Sequence, residues 1–170
     1  VGRLVADKDV PLTVRALAAL GRPATRLVVL GDGPDRPAIE AEARRLGPAS
    51  RVDFAGYVPE PWRHYAEARC LALASRHEAF GNVVVEALAH GLPVVATDCE
   101  GPREILDGDR YGTIVPVGDE TAMARALAAA LEQPGDPAPR QARAASFSRD
   151  AGVDAWERLI DEVVRAASGS

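Results

Sequence analysis

The stretch SRHEAFGNVVVEALAHGLPVVA, residues 75–96, sets two carboxylates, Glu78 and Glu86, on either side of a short AFGNVVV and ahead of an apolar run. An ionised carboxylate accepts hydrogen bonds but cannot neutralise a phosphate, so the natural partners of both glutamates are hydroxyls, as on a sugar or a ribose. Cations stand elsewhere in the chain, with Arg3 and Lys8 near its start. A cationic pair beside a helix N-terminus suits a diphosphate, so the four side chains together could read a ligand carrying both hydroxyls and phosphates.

Such a site needs elements that bring distant residues to one rim. Short β-rich apolar runs recur at Val1–Leu4, Leu27–Leu30, Val52–Ala55, Cys70–Ala74, Val94–Thr97 and Thr113–Val115. They are apolar on both faces rather than alternating, the pattern of strands covered on two sides, which predicts an α/β doubly wound parallel sheet of about six strands. Helices are predicted over Val10–Leu20, Pro37–Leu46, Trp62–Ala68, Asn82–His90, Glu120–Glu132 and Val153–Ala167, with Gly47 and Gly91 as left-handed terminators. The Pro-rich stretch Glu132–Arg140 reads as a surface linker.

In open parallel sheets ligands bind beyond the carboxyl ends of the strands. The residues there are Arg3 and Lys8, Gly31–Pro34, Gly56–Pro59, Glu78–Asn82 and Asp98–Glu104. If Asn82 caps the helix that follows it, the backbone N–H groups of Phe80, Gly81 and Asn82 point into that rim. Glu78 then lies before the helix and Glu86 about one turn inside it, so the two can hold different parts of one ligand. Hydroxyl readers beside phosphate readers describe a nucleotide sugar.

Composition narrows the classes. The chain has 170 residues, 47% hydrophobic, and a formal net charge of −5. That length suits one domain with a sizeable core. The acidic balance argues against a nonspecific grip on nucleic acid or an anionic membrane, and no apolar window reaches the length of a membrane span. Cys70 and Cys99 sit in apolar segments and read as reduced core residues of a cytoplasmic protein. The first residues begin as though already inside a strand, so the chain is expected to be a fragment.

GRLVADK, LGDGP, VDFAGYVP, EAFGNVVVEALAHGLPVVATDCEGPREIL and YGTIVP resemble, in order and over nearly the whole chain, the C-terminal donor-binding domain of group 1 (family 4-like) retaining GT-B glycosyltransferases. The most specific element is the pair Glu78 and Glu86 followed by Gly91–Thr97. The resemblance implies that residues 1–170 form a Rossmann-like nucleotide-sugar-binding domain, lacking the N-terminal domain that binds the acceptor. It implies that Arg3 and Lys8 hold the donor diphosphate beside Gly2, and that Glu78 binds the transferred sugar with the backbone of Phe80, Gly81 and Asn82. Glu86 would take the ribose, and the backbone near Tyr57 and Val58 the base. It further implies a UDP- or GDP-sugar donor, transfer of a hexosyl or N-acetylhexosaminyl group with retention, and no bound metal. Any contact with the cytoplasmic membrane face would be peripheral, through the missing domain, and a polysaccharide product is expected.

Three residues depart from that family's pattern: Ala79 and Asp9 stand where glycine is usual, and Ala74 where proline is common. Simpler roles stand beside the functional ones. Glu86 and His90 could form a solvated i,i+4 pair, and Glu78 could satisfy the N–H groups of Phe80 and Gly81. Arg36 fills the place of the third glycine of a dinucleotide fingerprint in LGDGPDR, which speaks against a nicotinamide or flavin site. A noncatalytic nucleotide-sugar-binding module, an interaction domain with a vestigial pocket, and a nucleotide-sugar epimerase or hydrolase remain as alternatives. Trp156 and Ile160 mark a face of the last helix that is expected to lie partly uncovered and to favour self-association.

Overall fold

The computed structural model describes residues 1–47 and 49–168, without the side chains of residues 167 and 168. Eight α-helices and five strands follow in order among the described residues, besides short 3-10 turns at Ala6–Lys8 and Ala49–Arg51: α1 (Val10–Ala19), β1 (Leu27–Leu30), α2 (Arg36–Leu46), β2 (Val52–Gly56), α3 (Trp62–Glu67), β3 (Leu71–Leu73), α4 (Asn82–Ala89), β4 (Val94–Thr97), α5 (Glu100–Leu106), β5 (Thr113–Val115), α6 (Glu120–Glu132), α7 (Ala138–Ala145) and α8 (Arg149–Ser168). Strand pairing is parallel throughout. β1 pairs β2 with Leu27 opposite Val52, and a register shift falls between Val29 and Leu30. β4 pairs β3 on one side, Leu71 opposite Val94, and β5 on the other, Val95 opposite Thr113.

Five strands form where six were expected, and the difference lies at Val1–Leu4. This segment still runs parallel along the end of β1, since the Gly2 N–H donates to the Leu30 carbonyl at 2.8 Å and the Leu4 N–H to the Asp32 carbonyl at 2.9 Å. A Cβ on Gly31 would lie 1.8 Å from the Gly2 carbonyl oxygen, so only glycine lets the two backbones pass this closely. The LGDGP motif thereby positions Arg3.

β4 is buried at all four positions, which is why its sequence is apolar without alternation. Helices cover it on both faces. On one face Val84, Ala87 and Leu88 of α4 pack with Leu71, Leu73, Val94, Ile105 and Leu106. On the other, Leu12 and Ala16 of α1 meet Met123 and Leu127 of α6 over Val95 and Val115. A third cluster joins Leu4, Val14, Leu17, Val29, Ile39 and Val52 around the β1–β2 pair. Each fully buried Leu or Val contributes about 1.5–3 kcal/mol over its exposed state. Between β1 and β3 lies a cavity of about 630 Å³, lined by Leu27, Val29, Leu71, Leu73 and Tyr65 and reaching Arg3 and Lys8 at the rim.

Two helices were not expected. The linker predicted over Glu132–Arg140 is present at residues 133–137, after which α7 begins and packs on α4. Pro139 sits in the first helical turn, where its missing N–H costs nothing, and the Arg140 Nε donates to the Gly91 carbonyl at 2.8 Å. α5 likewise carries Pro102 in its first turn. α8 extends four residues earlier than the predicted Val153, and Val153, Trp156, Leu159, Ile160 and Val163 on it are exposed, Trp156 at 67%.

Candidate functional site

The loop after the Val1–Leu4 segment and the loop after β3 meet and lock together. The Arg76 N–H donates to the Asp7 carbonyl at 2.7 Å, and the Lys8 ammonium pairs with Glu78 Oε2 at 2.5 Å across 70 residues of sequence. Asp9 holds a left-handed conformation, φ 36°, and is buried; Arg76 approaches its Oδ2 at 2.8 Å as an ion pair without hydrogen-bond alignment. The expected phosphate reader and the expected sugar reader are therefore each other's partners. The guanidinium of Arg3 is exposed and forms no ion pair or side-chain hydrogen bond among the described residues.

Glu78 is fixed from below. Ser75 lies beneath it and donates its hydroxyl to Glu78 Oε2 at 3.4 Å. The Ser75 carbonyl in turn accepts from Thr97 Oγ1 at 2.5 Å and from Cys99 Sγ at 3.1 Å, all three residues being buried. The Gly101 N–H donates to the Glu78 carbonyl at 3.1 Å, and a Cβ on Gly101 would fall 2.1 Å from the Phe80 carbonyl oxygen. Glycine at 101 thus lets α5 abut the loop that carries Glu78.

Phe80 is half-exposed and sets its ring edge-on to Phe147 at 5.8 Å. Gly81, not Asn82, occupies the cap position of α4, with φ 97°; Asn82 is the first helical residue, and no side chain caps this helix. The glycine does so because the loop must reverse there, a conformation that Asn82 does not adopt. Val84 and Leu88 point into the core, and Glu86 between them is half-buried. Its Oε2 accepts from the Tyr65 hydroxyl of α3 at 2.8 Å.

Val1 is partly buried and packs against the core cluster that holds Tyr65, Val84 and Leu88. Tyr57 is 81% exposed, and Val58 lines a shallow depression with Pro59, Glu60, Arg63 and His64, apart from these contacts. Asp98 and Arg103, on the expected rim, are tied to each other, with Arg103 Nε 2.8 Å from Asp98 Oδ1. The Cys70 thiol is pushed up to about 12, chiefly by burial, and burial also raises that of Cys99, so both cysteines stay protonated and inert near neutral pH.

Sequence reasoning missed Tyr65, Ser75 and Arg76. Ser75 directly follows a predicted strand, which is a signal that could have found it. Nothing in the pattern of α3 points Tyr65 at a residue 21 positions away.

Residues 1–133 match the family described as Glycosyl transferases group 1. The chain belongs to this group 1 glycosyl transferase family. It is 33% identical over 169 residues to the lipopolysaccharide core biosynthesis glycosyltransferase LpsE of Rhizobium meliloti, covering 94% of this chain and 48% of that protein. It is 35% identical over 165 residues to a GDP-mannose-dependent alpha-mannosyltransferase of Mycobacterium tuberculosis, covering 96% and 40%. Among solved structures it superposes on WaaG, a glycosyltransferase involved in lipopolysaccharide biosynthesis, with a TM-score of 0.74 at 27% identity, over 87% of this chain and 42% of that one. On Anabaena HepE in complex with UDP and glucose the TM-score is 0.79 at 24% identity, over 97% and 47%, which supports the shared fold. The chain thus spans half or less of the relatives it matches.

Proposed function

We propose that residues 1–170 are the donor-binding domain of a two-domain retaining glycosyltransferase, whose other domain would bind the acceptor. One observation carries the reading: Lys8 and Glu78 are brought together across 70 residues at the strand ends, with the free cation Arg3 close by in sequence. The relative named as GDP-mannose-dependent supports a sugar-nucleotide donor. Arg3 and Lys8 take the diphosphate, Glu78 and the backbone of Gly81 and Asn82 the sugar hydroxyls, and Glu86 the ribose.

In the transfer step the bond from the anomeric carbon to the diphosphate oxygen breaks, and that oxygen keeps the electron pair. The acceptor hydroxyl oxygen bonds the same face of the anomeric carbon, and its proton passes to the departing diphosphate. Arg3 and Lys8 stabilise the charge that grows on the leaving group, the role a metal would otherwise serve. Lys8 reaches the phosphate by leaving Glu78, which frees that carboxylate for sugar hydroxyls. The transferred group is a hexosyl or N-acetylhexosaminyl unit, the setting is cytoplasmic, and the domain alone binds donor without transferring it. No helix among the described residues is long and apolar enough to cross a membrane.

Calorimetric titration of the chain with UDP and GDP tests the reading. One nucleotide should bind, and Glu86→Ala should weaken it by about 1–3 kcal/mol, the cost of stranding a buried polar partner. Binding of neither nucleotide overturns the donor assignment.

A further inference from the structure

Tyr65 lies on α3, belongs to the core cluster beneath β3, and is 4% exposed. Its ring packs at 5.4 Å on the His90 ring, and His90 Nδ1 lies 2.9 Å from the Glu86 carbonyl oxygen. The Tyr65 hydroxyl completes the loop of contacts by donating to Glu86 Oε2 at 2.8 Å. Tyr65 on α3, Glu86 on α4 and His90 just past the end of α4 therefore fix one another, and the carboxylate among them is partly exposed.

A neutral phenol holds this carboxylate without offsetting its charge. Burial first, and Glu86 second, raise the phenol's pKa far above its ordinary value, so the proton stays on the phenol at any physiological pH. One oxygen of Glu86 is always engaged, while Oε1 has no hydrogen-bond partner among the described residues. A carboxylate clamped at one oxygen presents the other at a set angle, whereas an unclamped one must lose rotamer freedom on binding.

We propose that Tyr65 is a positioning residue that sets the preference of the site for a ribose diol over a deoxyribose by holding the Glu86 carboxylate in one orientation. This rests on the donor reading given above. Tyr65 touches no ligand itself. It acts only through Glu86, so its effect exists only where both Glu86 and the 2′- and 3′-hydroxyls are present.

The test titrates the chain, Tyr65→Phe, Glu86→Ala and the double variant with whichever of UDP and GDP binds, and with its 2′,3′-dideoxy analogue. Tyr65→Phe keeps the ring and should weaken the ribonucleotide by about 2- to 12-fold, the scale of one net hydrogen bond. The dideoxy analogue should bind both proteins alike, and the substitution should have no effect in the Glu86→Ala background. Equal weakening of both nucleotides, no weakening, or an effect that persists without Glu86 each overturns the proposal while the donor reading stands. If the unsubstituted chain binds neither nucleotide, the donor reading falls and the Tyr65 role falls with it. Should Tyr65→Phe fail to fold, the 13Cζ resonance of Tyr65 in the unsubstituted chain gives the same answer. It should move on saturation with the ribonucleotide and stay in place with the dideoxy analogue; a shift with both, or with neither, counts against the proposal.

Discussion

Glu78 and Glu86 sit eight residues apart and are satisfied by opposite means. Glu78 is held by a cation, Lys8, on a loop that the chain brings in from 70 residues away, with Ser75 beneath it. Glu86 is held by the neutral hydroxyl of Tyr65, on a helix packed in the core. An ion pair at a partly exposed rim is exchangeable, because an incoming phosphate offers the ammonium an equivalent partner. A phenol in the core has no such alternative. One carboxylate region is thus built to change partners and the other to keep them, which suits a reacting sugar at the first and an inert ribose at the second.

The strongest test of this contrast is Arg3→Ala assayed in the two-domain glycosyltransferase proposed above. Removal of a single leaving-group stabiliser should cut turnover by about 100- to 1000-fold. The melting temperature should hold, since Arg3 is exposed and makes no ion pair among the described residues. Unchanged turnover would remove Arg3 from the chemistry.

Gly101→Ala should come next. Its Cβ would collide with the Phe80 carbonyl, so the loop behind Glu78 must shift at a cost of about 1–3 kcal/mol, read as a lower denaturant midpoint. The Glu86 region, whose contacts lie on α3 and α4, should keep its hydrogen bond, and the Tyr65 resonance should report that.

The Glu86 region has an alkaline signature of its own. The Tyr65 pKa is raised from an ordinary value near 10, so the unfolded chain loses this proton first as pH rises. The stabilisation is complete below pH 10 and falls above it, with a slope of at most about 1.4 kcal/mol per pH unit. Denaturation between pH 9 and 11 should therefore be less steeply pH-dependent in Tyr65→Phe than in the parent. Equal slopes would mean that the phenol is less confined than its contacts indicate.

The smallest effect is expected from Ser75→Ala. The hydroxyl reaches Glu78 at 3.4 Å and shares it with Lys8, so its loss should cost roughly 0.5 kcal/mol of stability, the low end for one hydrogen bond. The Ser75 carbonyl, which accepts from Thr97 and Cys99, is unaffected by the change. A loss above about 2 kcal/mol would show that Ser75, rather than Lys8, carries Glu78.

Much of the fold was legible because burial on both faces writes itself directly into composition. Leu27–Leu30, Val94–Thr97 and Thr113–Val115 were read at the bounds that the strands adopt. α5 and α7 were obscured by Gly101, Pro102, Pro137 and Pro139, residues that signal loops when read singly, although Pro102 and Pro139 suit a first helical turn and Pro137 stands at the cap before one. The Gly81 cap was hidden by Asn82, a stronger capping type standing one position later. At the site, residue types foretold a rim of carboxylates and cations, and the structure does join Lys8 to Glu78. That they would satisfy each other, and that Tyr65 would hold Glu86, depends on distances between elements, which spacing along the chain does not encode.

The segment that carries Arg3 and Lys8 also ties the two sheets together. Its backbone is joined to the end of β1 by the hydrogen bonds from Gly2 to Leu30 and from Leu4 to Asp32. The bond from the Arg76 N–H to the Asp7 carbonyl and the Lys8–Glu78 pair join the same segment to the loop after β3. β1 and β3 belong to different sheets, so a shift of Lys8 toward a phosphate would be felt by both sheets at once.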